Sequence, residues 1–147
     1  MVNPIKSVFL FAGNDSYSKE QAIKKLKSSL LDSSSSELDY KVFDGADAEV
    51  RDILDHVSTI PFLASKRLII IKHFEKLSKE DTSRLIDYIK NPTKSTCLVL
   101  DAEDDSIIKQ YSQTMWLDFP ILYQPKAQKQ VDKFYDRIFL LHTLRMS

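Results

Sequence analysis

The sequence holds one cysteine, two glycines, no net charge and no long apolar run. Each shortage removes a class of protein. Cys97 has no second cysteine to close an internal disulfide, which favours a reducing, cytoplasmic setting. It lies inside Cys97-Leu98-Val99-Leu100, so a small buried hydrophobe is the simpler reading than a catalytic thiol. Lysine plus arginine equals aspartate plus glutamate at 21 each, so no overall basic field advertises nucleic-acid binding. The N-terminal apolar run, Val8 to Ala12, is far too short for a membrane span and lacks the basic flank of a secretory signal. No membrane partner is expected.

What is present suits one globular domain with a proper core: 147 residues, 43% hydrophobic and 29% charged. The centre of the pattern is Leu68 to Ile71, an unbroken, largely β-branched run with charge on either side. Such a run fits a strand buried on both faces, as in parallel sheets. Val8 to Ala12 predicts a first strand closed by the turn signal Gly13-Asn14-Asp15. A helix follows from a capping box at Ser18, with Ile23, Leu26, Leu30 and Leu31 at helical spacing. Ser33 to Ser36 forms a short loop, and Tyr40, Val42 and Phe43 a second strand. A second helix is expected from near Asp47 towards Pro61, and a third from Ser78 to the stop at Asn91-Pro92. Thr96 to Asp101 gives a fourth strand. Ile107, Ile108 and Tyr111 suggest a short helix, and Met115 to Phe119 a fifth strand ended by Pro120. A final helix runs on from beyond Pro125. The alternation predicts an α/β fold, a five-stranded parallel sheet with helices on both faces. The division expected is 1–122 as one domain and 123–147 as a helix leading towards a second.

Several motifs carry a choice between chemistry and plain structure. Between the first strand and its helix, Gly13 and Lys19 have the spacing of the phosphate-binding pattern G-x-x-x-x-G-K-[ST]. Ser18 replaces the second glycine, and Glu20 replaces the magnesium-ligating hydroxyl. A carboxylate there repels phosphate at the helix N-terminus. At the tip of the central strand, where a nucleotide hydrolase holds magnesium with an Asp, Lys72 and His73 stand instead. Both departures point away from nucleotide hydrolysis. His56, His73 and His142 have no zinc spacing, so no metal is expected. Asp101, Glu103, Asp104 and Asp105 form either a solvated loop or a polar-ligand site at a strand end. Phe62-Leu63, after Pro61, is either the buried end of a helix or an exposed apolar pair of the kind that anchors in a partner's pocket.

The order Val8-Phe9-Leu10-Phe11-Ala12-Gly13, then Pro61-Phe62-Leu63-Ala64-Ser65-Lys66-Arg67-Leu68-Ile69-Ile70-Ile71, resembles the delta subunit of bacterial DNA polymerase III. Leu77, Leu85 to Pro92 and Thr96 to Leu100 fit its first domain too, so the resemblance covers about residues 7 to 119. It implies an AAA+ type, P-loop-like fold without a working ATP site, no cofactor and no catalytic residue. It also implies a clamp loader subunit that binds the ring-shaped sliding clamp (the beta subunit) and helps open it, serving primed DNA indirectly. The family's apolar pair that enters the clamp pocket matches Phe62 and Leu63, in swapped order; Pro61, Lys66 and Arg67 are the neighbouring surface. Family members are considerably longer, with a helical collar that joins the other loader subunits. This chain stops near where their second domain begins. The alternative reading is a degenerate P-loop nucleotide-binding enzyme using Lys19 and the cluster at Asp101 to Asp105.

Overall fold

A computed structural model describes residues 7–31, 38–62, 64, 66–103 and 121–123. Strands and helices alternate: β1 (Val8–Ala12), α1 (Ser16–Leu30), β2 (Tyr40–Asp44), α2 (Val50–Ser58), β3 (Arg67–Lys72), a 3-10 turn (Phe74–Lys76), α3 (Lys79–Lys90), β4 (Thr96–Ala102) and the three-residue β5 (Ile121–Tyr123). The sheet has the order β2-β3-β4-β1-β5. All of its pairings are parallel, with Val42 opposite Ile70, Ile70 opposite Val99 and Leu10 opposite Leu100.

The interior strands β1, β3 and β4 are apolar along most of their length because helices cover both faces. Alternate residues separate into two cores. Leu10, Ile69, Ile71, Leu98 and Leu100 pack with Ile53 and Val57 of α2 and Leu85 and Ile89 of α3. Phe9, Phe11, Leu68, Ile70, Cys97 and Val99 pack with Ala22, Leu26 and Leu30 of α1. Leu68 to Ile71 are all fully buried, each contributing roughly 1.5–3 kcal/mol of hydrophobic stabilisation. Cys97 lies in this second core, where burial pushes its thiol up to about 12 against a small opposing pull from Lys66. Its thiolate is suppressed, so it is packing material.

The expected parallel α/β sheet is present, with four strands at the expected residues and two-sided helix cover. Three boundaries differ. Helix α1 begins at Ser16 with Asp15 as its cap, ahead of the capping box expected at Ser18. Helix α2 begins at Val50 and not near Asp47, because Asp47 and Ala48 donate their amides to the Asp44 carbonyl in a turn. The last strand follows Pro120, where a strand end had been expected. The serine loop, the short helix at Ile107 to Tyr111, the strand at Met115 to Phe119, the final helix and the 122/123 boundary lie outside the described residues. Among the described residues, no helix is long and apolar enough to cross a membrane.

Candidate functional site

The segment joining α2 to β3 is braced at both ends. Helix α2 stops because Thr59 caps it, its N–H donating to the His56 carbonyl at 3.3 Å and its hydroxyl to the Asp55 carbonyl at 2.6 Å. The buried Thr96 hydroxyl donates to the Val57 carbonyl at 2.9 Å, tying the end of α2 to the sheet. At the other end the Arg67 amide donates to Ser95 O at 2.9 Å, and the Lys66 ammonium donates to Lys94 O at 2.7 Å. Burial holds Lys66 below the usual lysine range, with the nearby Cys97 opposing the shift.

Between these ties the chain turns its apolar side chains outward. Phe62 is 73% exposed and Ile60 75%, with a half-buried Pro61 between them. The backbone beneath them is fixed from below by Asp39, which is fully buried at the foot of β2. Its two carboxylate oxygens accept the Phe62 and Ala64 amides, each at 2.6 Å. Of the residues singled out here from sequence, Phe62 is an exposed apolar projection, Pro61 its neighbour, and Lys66 and Arg67 are partly buried ties of the loop. Leu63 lies outside the described residues.

The segment from Gly13 to Glu20, compared above with a phosphate-binding pattern, sits at the opposite end of the sheet, beyond the carboxyl ends of the strands. Gly13 adopts φ 130°, a backbone that L-residues avoid, and donates its N–H to Ala102 O at 3.0 Å. Only Asn14 and Asp15 then separate it from α1. The Asp15 carboxylate receives the Ser18 amide at 3.2 Å and the Ser18 hydroxyl at 2.8 Å. A side-chain anion thus occupies the end of the helix where a phosphate would dock. Lys19 is 5% exposed, and its ammonium meets Asp101 Oδ1 at 2.7 Å and Ala102 O at 3.3 Å. Glu20 points to solvent.

At the tip of β3, Lys72 is exposed and His73 takes the left-handed conformation, φ 53° and ψ 47°. The His73 ring spans two carboxylates, with Nδ1 3.1 Å from Asp44 Oδ2 and Nε2 3.1 Å from Glu103 Oε1. The Asp44 carboxyl is held below its ordinary range, chiefly by the Ala46 amide and then by His73, with partial burial opposing. Glu75 extends the network by accepting the Glu103 amide at 2.7 Å. A cleft of about 610 Å³ opens here, lined by Lys19, Lys27, Tyr40, Lys72, His73 and Asp101 among others. The structure thus gathers Lys19, His73, Asp101 and Glu103 around one cleft and leaves Phe62 at the far end. Asp104 and Asp105 lie outside the described residues. Among the described residues, no group of three His, Cys, Asp or Glu side chains is placed to hold a metal ion.

The sequence pattern did not mark Asp39, Asp15 or Ile60 as site residues. Asp15 carries a local signal, an Asp three positions before a Ser at a helix start, overshadowed by the capping box at Ser18. Asp39 carries none, since its partners lie 23 and 25 positions away.

A family model described as DNA polymerase III, delta subunit, matches residues 9–119. The chain belongs to that family. Within it, the DNA polymerase III subunit delta of Bacillus subtilis (strain 168) is 23% identical over 104 residues. That match covers 65% of this chain and 30% of the relative. The fold is similar to the solved DNA clamp loader delta protein of Bacillus subtilis, with a TM-score of 0.65 at 17% identity, covering 95% of this chain and 54% of that one. A DNA polymerase III gamma subunit-related protein from Thermotoga maritima is similar at a TM-score of 0.57 and 14% identity, covering 99% of this chain and 53% of that one. The chain therefore spans less than a third of the curated delta relative and about half of the solved ones.

Proposed function

We propose that this chain is a non-catalytic, delta-type clamp loader domain that binds the sliding clamp and helps open it for loading on DNA. The observation that carries the reading is Phe62, a large aromatic side chain held 73% exposed on a braced loop. An isolated exposed phenylalanine is unremarkable. One flanked by a second exposed apolar residue, on a backbone tied at both ends, has the form of a recognition anchor. The order β2-β3-β4-β1-β5 supports placing the domain with AAA+ type folds. Asp15 and the Lys19–Asp101 pair support the absence of nucleotide chemistry, because ATP would have to displace two internal anions to reach the helix end and the lysine.

The mechanism is mechanical. Phe62 and Leu63 enter the clamp's apolar pocket, while Pro61, Lys66 and Arg67 shape the loop around them. Tighter binding to a clamp with a strained or open interface shifts the ring towards that state by the difference in affinity. The other loader subunits, primed DNA as an indirect partner and a cytoplasmic setting belong to the same reading.

Calorimetry of the chain with the purified clamp tests it, with Phe62→Ala and Phe62→Ala/Leu63→Ala alongside. Losing one buried aromatic contact of about 1.5–3 kcal/mol weakens binding by roughly 10- to 150-fold, and the double variant abolishes it. Thermal stability of Phe62→Ala stays at the wild-type value, since the side chain packs on little in the free protein. Equal affinity of the double variant and wild type overturns the reading.

A further inference from the structure

Asp39 stands apart from every other carboxylate described. It is fully buried, and it faces the exposed loop, not the cleft at the opposite end of the sheet. Burying a carboxylate is costly unless its oxygens are satisfied by strong donors. The short bonds from the Phe62 and Ala64 amides supply charge-assisted hydrogen bonds of that kind. The main chain of Asp39 is itself fixed, its carbonyl accepting the Leu68 amide at 2.8 Å where β3 begins. One side chain thus chelates the amides on either side of residue 63 and connects them to the central strand.

We propose that Asp39 is the positioning residue of the partner-binding loop: its carboxylate fixes the backbone so that Phe62 is presented outward before any partner arrives. This deepens the clamp-binding reading and rests on it for the identity of the partner. An exposed apolar loop without such a strut relaxes onto its own surface or samples many conformations. Ordering it on binding then weakens association, and holding it in advance removes that penalty. Both engaged oxygens matter. Asparagine keeps the shape of the side chain but turns an NH2 towards one of the two amides, replacing a hydrogen bond with a donor–donor contact.

The test combines amide hydrogen exchange with calorimetry on the full 147-residue chain. In the wild type, the Phe62 and Ala64 amides are expected to exchange at least about tenfold more slowly than unstructured amides of the same sequence; free exchange at both overturns the proposal. In Asp39→Asn both lose that protection, while Leu98 and Leu100 in β4 keep theirs. Clamp affinity falls by about tenfold or more, with a less favourable binding entropy. Lost protection with unchanged affinity removes the positioning role. If Asp39→Asn also loses protection in β4, the wild-type exchange rates and Asp39→Ser, whose hydroxyl keeps one acceptor, decide the matter by the same criteria. Failure of the wild type to bind the clamp overturns the clamp reading, and the strut is then judged on exchange alone.

Discussion

The His73 ring, with Nδ1 and Nε2 each 3.1 Å from a carboxylate oxygen, ties two side chains that lie 59 positions apart in the chain, Asp44 and Glu103, at the carboxyl ends of the strands. In the sequence His73 is a histidine in the place of a metal-holding aspartate. In the fold it is a clasp across three strand ends, joining Asp44 at the end of β2 to Glu103 just after β4. Its left-handed backbone turns the chain sharply from the strand into the 3-10 turn. The Asp44 carboxyl is depressed in the folded state, chiefly by the Ala46 amide and then by the His73 ring. The sign follows from linkage. A depressed carboxyl contributes stability above its unfolded pKa, and that contribution is lost as pH falls through the folded value. His73→Ala should move the Asp44 midpoint, followed by NMR titration of its side-chain carboxyl carbon, part of the way back up. The Ala46 amide, the larger cause, still holds it down. A midpoint unchanged by the substitution would show that the ring does not reach Asp44 in solution.

Elements were legible wherever their signal is local. The buried runs of β1, β3 and β4 announce themselves through unbroken apolar residues, and α3 through Ser78, whose hydroxyl accepts the Asp81 amide at 3.0 Å, and Pro92. Signals that depend on distant partners were not legible. Whether Phe62 faces the core or solvent is decided by where Thr59 ends α2 and by Asp39, not by the spacing of apolar residues around it. The turn after β2 is another long-range case. Gly45 donates its N–H to Lys72 O at 2.7 Å and lies so close to β3 that a Cβ would fall on the His73 carbonyl, 3.0 Å from its carbon. Gly45→Ala must push apart the ends of β2 and β3, since the obstacle is backbone. We expect a loss of about 1–3 kcal/mol in urea unfolding, read as a lower midpoint with an unchanged slope. Wild-type stability in this variant would mean that the strand ends are not held together as described.

At the scale of the whole molecule, the sheet keeps its two notable ends apart. Strand β3 runs from the Phe62 loop at its start to His73 just past its end, a span of about 20 Å for six residues. The apolar projection is at the amino end of β3 and the turn from Gly13 to Lys19 at the carboxyl ends of the strands, where buried Lys19 is already neutralised by Asp101. Millimolar ATP with magnesium should therefore shift the thermal midpoint by less than about 1 °C, since a ligand stabilises only through preferential binding to the folded state. A clear upward shift that Lys19→Ala removes would restore the nucleotide-binding alternative.

The internal anion at Asp15 has a consequence for timing. Elsewhere a helix start that waits for phosphate can work as a clock, its setting changed by each nucleotide that arrives or leaves. Here the hand is fixed to the dial by a side chain that never departs. On the reading proposed above no nucleotide binds here, and the domain's grip on the clamp would then have no linkage to nucleotide concentration. On that reading the rhythm of binding and release would be set outside this domain.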